Sequence, residues 1–189
     1  MKVFFLLFLV FISFHAECQK DGFEISTIGL DSIKIGMSKG DVEKVVKTSL
    51  QPYLGSTSPI KDQDSAVTKW GCNNCTQKYI VRYGTINLLL TFFRFTLYKQ
   101  TDYELVAISP VPPSTLIHTR SGIKVGISED KFEEICKNNG YSIQEMGLNV
   151  DKTAYIFSDG LDKNSSKGIV VQFQNRILVD LMAINMIGD

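Results

Sequence analysis

The sequence predicts an α+β fold of two tandem units, each a helix followed by an antiparallel meander, with both helices packed on one face of a shared sheet. Three observations predict it. A fifteen-residue motif occurs twice, at Ile33–Lys47 and Ile123–Lys137. Strand-like alternating segments follow each copy. Pro110, Pro112 and Pro113 lie between the two sets, as in a linker. The expected organisation is a signal peptide at 1–18, a first unit at 19–112 and a second at 113–189.

The N-terminus reads as an export signal. Lys2 precedes an apolar run from Val3 to Phe14, interrupted only by Ser13, and Ala16-Glu17-Cys18 offers small residues at a cleavage site. The run falls short of the roughly 20 residues a membrane span needs. Cleavage after Cys18 would leave a secreted or periplasmic chain with no membrane span. A second reading keeps Cys18 as a lipidated anchor, although Glu17 and His15 depart from the small or apolar residues such a signal prefers.

Lysines plus arginines equal aspartates plus glutamates at 20 each, so the chain lacks the basic surplus of a nucleic-acid binder. Its aromatic and β-branched content is that of a folded domain.

Each copy of the motif begins with a helix lead-in. Gly36 and Gly126 stand where the chain must turn, and glycine reaches positive φ without steric cost. Ser38 and Ser128 are placed as N-caps, with Asp41, Glu129 and Asp130 in the first turns to complement the helix dipole. Val42, Val45 and Val46 in one copy match Phe132, Ile135 and Cys136 in the other, a spacing that puts each trio on one helix face. Pro52 is expected to limit the first helix and Gly140 to stop the second. Strands are expected at Tyr79–Tyr83, Asn87–Tyr98 and Tyr103–Ser109, then at Ala154–Ser158, Ile169–Gln174 and Ile177–Asn185, the last two joined by a tight turn at Asn175-Arg176.

The run Ile-x-x-Gly-Met-Ser-x-x-x-Val, from Ile33 to Val42, resembles the helix lead-in of small outer-membrane assembly lipoproteins of the SmpA/OmlA type. Tandem copies followed by antiparallel strands resemble the beta-lactamase inhibitory protein and its relatives. That resemblance implies a sheet offering a concave face to a protein partner. It assigns no binding residue, because the matching positions are turn and helix residues, and Ile127 replaces the methionine in the second copy.

No motif for catalysis emerges, and the chain is read as a non-enzyme without cofactor. Cys72-Asn73-Asn74-Cys75 has the CxxC spacing of a redox site, but that chemistry needs its first cysteine at a helix N-terminus, and Thr76–Tyr83 reads as strand. In an exported chain a local Cys72–Cys75 disulfide is the plainer expectation. A zinc site from Cys72, Cys75, His118 and Cys136 would need Cys136 to leave an apolar helix face. Glu133-Glu134 and the Asp159/Asp162 pair read as solvated charges.

The aromatic strands are the better clue. Tyr79, Val81 and Tyr83 share one face of their strand, while on the next Leu88, Leu90, Phe92, Arg94 and Tyr98 share one face and Leu89, Phe93, Phe95 and Leu97 the other. One sheet face must pack on the helices. Trp70, Tyr79, Tyr83, Arg94 and Tyr98 are the expected anchors for a protein partner on the other, since tyrosine, tryptophan and arginine dominate interface energetics. The functional expectation is protein recognition or inhibition through an open sheet face. The alternative is a lipid-anchored envelope assembly or maintenance factor.

Overall fold

The computed structural model describes residues 22–54, 75–94, 103–147, 152–160 and 166–185. Strands β1 (Phe23–Ser26), β2 (Gly29–Leu30) and β3 (Ile33–Lys34) lead into helix α1 (Lys39–Val46). Strands β4 (Gln51–Pro52), β5 (Thr76–Tyr83), β6 (Ile86–Arg94), β7 (Tyr103–Pro110) and β8 (Ile117–His118) precede helix α2 (Glu129–Asn139). Strands β9 (Ser142–Gly147), β10 (Lys152–Ser158), β11 (Lys167–Gln174) and β12 (Ile177–Asn185) complete the described chain.

This architecture corrects the α+β expectation of two helix-then-meander units on one shared sheet. The described chain is mostly strand, its two helices are only 8 and 11 residues long, and it builds two sheets. A four-stranded sheet runs β3-β2-β1-β8 and an eight-stranded sheet runs β4-β5-β6-β7-β12-β11-β10-β9. The smaller sheet escapes sequence reading because three of its four strands are two residues long, too short to show a period of two.

Both helices start as their caps dictate. Ser38 Oγ accepts from Asp41 N at 3.2 Å, and Ser128 Oγ accepts from Lys131 N at 3.2 Å. Gly140 ends α2 in the left-handed region, its N–H directed to the carbonyls of Cys136 and Lys137. Helix α1 stops earlier than Pro52 would require, at a left-handed Lys47 with φ 56°.

The two lead-ins take the same backbone form. Gly36 and Gly126 have φ of 94° and 96°, values that only glycine adopts readily. Gly36 N donates to Leu105 O at 2.8 Å and Leu105 N to Met37 O at 2.9 Å; Gly126 N donates to Leu178 O at 2.8 Å and Leu178 N to Ile127 O at 2.9 Å. Each lead-in therefore occupies part of the edge of a central strand, β7 or β12. The direct β7–β12 ladder is confined to Ala183↔Ile108 and Ile184↔Ala107. This narrow seam joins the two halves of the large sheet.

One apolar cluster lies beneath both halves. Leu88, Leu90, Phe92 and Ile108 contribute from one half and Ile169, Val171, Phe173 and Leu181 from the other. Val42 of α1 and Phe132 and Cys136 of α2 enter the same cluster. Phe132 is the central contact of α2, its ring centroid 5.4 Å from Phe173, 5.4 Å from Tyr155 and 5.6 Å from Phe157. Truncating such a residue to alanine costs about 3–5 kcal/mol.

The small sheet is tied to the large one by Asp159, which follows β10. Its carboxylate accepts from Thr27 N at 3.1 Å and from Thr27 Oγ1 at 2.6 Å, and Thr27 is fully buried. The expectation that Asp159 is a solvated loop charge is corrected: its oxygens accept both the backbone N–H and the hydroxyl of the buried Thr27.

Candidate functional site

Directly opposed residues in an antiparallel ladder share a face, so the registers sort every side chain of the large sheet. Tyr79, Val81, Leu88, Leu90, Ile169, Val171 and Leu181 lie on the side of the helices and the core. The other side carries a row that crosses six strands: Ile80 beside Leu89, Leu89 beside Ser109, Met182 beside Val170, and Val170 beside Ile156. Ser109 Oγ lies 3.8 Å from Met182 Sδ and carries the row over the seam. No helix or strand among the described residues is packed over this row.

The row is apolar but not flush with solvent. Ile156 and Val170 keep 7 % of their surface, while Ile80, Leu89 and Met182 are half-buried. Ile156 lies over the backbone of Gly168, where a Cβ would stand 2.7 Å from Ile156 Cγ1; glycine there lets the isoleucine lie flat on the sheet. Met146, 42 % exposed, extends the same face at the β9 margin.

Asp180 is the charged member of this face. It sits opposite Gln172, one step from the apolar row. The β11–β12 register shifts between Gln172 and Phe173, leaving Val179 without an opposite residue. That bulge lets Leu178 and Leu181 both point into the core while Asp180 points to the open side. Oδ1 accepts from Leu181 N at 2.8 Å, and no other hydrogen bond or ion pair reaches the carboxylate among the described residues. Burial raises its pKa above the ordinary aspartate value, with only the Leu181 N–H opposing that shift.

The residues expected to anchor a partner are placed differently. Tyr79 packs on the core side, edge-on to Phe92 with centroids 5.6 Å apart, with Lys39 Nζ 4.6 Å above its ring. Tyr83 packs against Phe23 at 5.6 Å on the same side. Alternation correctly groups these tyrosines, but they line the packed face and not the open one. Arg94 lies with its guanidinium 5.4 Å from the Tyr103 ring, half-buried, and its Nε has no hydrogen-bond partner among the described residues. Trp70, Tyr98 and Cys72 fall outside the described residues. Cys75 is buried and disulfide-bonded, while Cys136 is a buried free thiol.

A second polar group gathers at the start of α2. Glu129, 9 % exposed, accepts from Tyr155 Oη at 2.7 Å and from Arg176 Nε at 3.1 Å. Arg176 Nη2 also donates to Asp130 at 2.5 Å. Burial, then the bond to Glu129, raises the Tyr155 pKa well above the ordinary tyrosine value. Every polar atom named here is matched to another within the fold, which makes this network a clamp between α2 and the β11–β12 turn.

Among the described residues, no three His, Cys, Asp or Glu side chains converge to hold a metal ion, and no helix is long and apolar enough to cross a membrane. No family model, curated protein or solved structure matches the chain.

Proposed function

We propose that the chain is an exported, non-catalytic protein that recognises another protein through the sheet face opposite its helices. The observation that carries this reading is the row Ile80–Leu89–Met182–Val170–Ile156, an apolar strip across a sheet with no described element above it. A contiguous apolar strip on a sheet face, partly accessible at Ile80, Leu89 and Met182, is a surface that a partner can cover. The resemblance of the tandem copies and their antiparallel strands to the beta-lactamase inhibitory protein implies recognition of a protein partner by a sheet face, and the N-terminal sequence supports export.

The strip alone is a weak anchor. Ile80, Leu89 and Met182 are each half-buried already, so completing their burial is worth about 1 kcal/mol apiece. Association costs about 4 kcal/mol or more in lost rigid-body freedom. A partner must therefore also use the polar groups at the margin of the strip.

Leu89→Glu and Met182→Glu test the reading against Lys131→Glu, which lies on the exposed side of α2. Partners cross-linked to the wild-type chain should be lost from the first two variants and retained by the third. Retention of every partner by both strip variants would remove the sheet face from consideration.

A further inference from the structure

We propose that the open sheet face takes up a polypeptide segment that sets a lysine or arginine among apolar side chains, with the cation against Asp180. This rests on the sheet-face reading and adds the chemistry of the partner.

The argument is one of charge complementarity. Asp180 is a carboxylate in a largely apolar setting, one step from Met182 and Val170, with uncharged Gln172 opposite. Its single hydrogen bond is donated by the next residue in its own chain. The ion pairs among the described residues involve Asp41, Glu43, Glu129, Asp130 and Glu134, and none of them reaches Asp180. A carboxylate held this way is short of a cation. A segment bringing one would pair with it, and apolar neighbours on that segment would cover the strip and dry the pair. A second acidic surface would be repelled, so the same residue would also discriminate between partners.

A phage-displayed random-peptide library panned against the full chain, Asp180→Asn and Met182→Glu tests the proposal. Peptides selected on the wild type should carry lysine or arginine within an apolar run. They should bind Asp180→Asn at least about tenfold more weakly and should fail on Met182→Glu. Peptides that need Met182 but carry no basic residue, or that bind Asp180→Asn as well as the wild type, overturn the charge pairing and leave the sheet-face reading standing. Peptides indifferent to both substitutions, or no binder at all, overturn both. Thermal unfolding of each variant confirms that it is folded, and Leu89→Thr replaces Met182→Glu if the latter is not.

Discussion

Arg176 donates from Nε to Glu129 Oε2 at 3.1 Å, across 47 residues of chain, from a turn in which both Asn175 and Arg176 have positive φ. The bond holds the β11–β12 hairpin to the first turn of α2. The two partners contribute unequally. Glu129 is buried and also serves Tyr155 Oη, while the Arg176 side chain is 67 % exposed. Glu129→Ala leaves the half-buried Tyr155 hydroxyl and the Arg176 guanidinium without their shared acceptor and should cost about 1–2 kcal/mol. Arg176→Lys keeps the charge and the turn geometry, and should cost less than about 1 kcal/mol. Urea unfolding at neutral pH ranks them, and the opposite order would mean that the clamp is an exposed ion pair and nothing more.

Cys136 should be chemically silent in the folded chain. It is fully buried, and burial together with the nearby Glu133 carboxylate pushes its thiol up to about 12. The reactive species is the thiolate. At pH 8, iodoacetamide should label native Cys136 more than about a hundredfold slower than an exposed cysteine. Labelling should become complete in denaturing urea. Intact mass with and without urea reads the difference, and full labelling of the native chain would contradict the packed position of α2.

Asp180 should make the free protein less stable at neutral pH than an asparagine would. Its folded pKa lies above the unfolded value, so the native state binds the proton more tightly. The carboxylate's penalty is then fully present above the folded pKa and fades as pH falls toward the ordinary value of 3.8. Asp180→Asn should raise the unfolding midpoint at pH 7, and the gain should shrink progressively on acidification. A constant gain across the range would trace the effect to packing and not to charge.

The local chemistry of the chain was legible where short-range rules govern it. The serine caps, the glycine lead-ins and the turn at Asn175-Arg176 all follow from neighbouring residues, and all take the expected conformations. Alternation grouped Tyr79 with Tyr83, but a period of two cannot say which group meets the core, because both faces of β5 and β6 are rich in apolar residues. The small sheet was invisible because three of its strands are two residues long and its closing pair joins β1 to the distant β8, Phe23 with Ile117. Strand β9 was missed because Ser142-Ile143-Gln144-Glu145-Met146 shows no apolar alternation; it is strand because β10 lies beside it. Asp180 escaped notice because its outward aim depends on a bulge, and a bulge depends on the register of two strands.

The seam between β7 and β12 gives the open face a mechanical character. Only two residue pairs bridge the halves directly, and above them Ser109 and Met182 make a long sulfur contact. Below, a continuous apolar cluster binds the same halves tightly. A plate stiff on one side and lightly stitched on the other bends about its stitching. Small changes in the angle between the halves would change the curvature of the row along Leu89, Ser109 and Met182 that a partner meets, without unpacking the core.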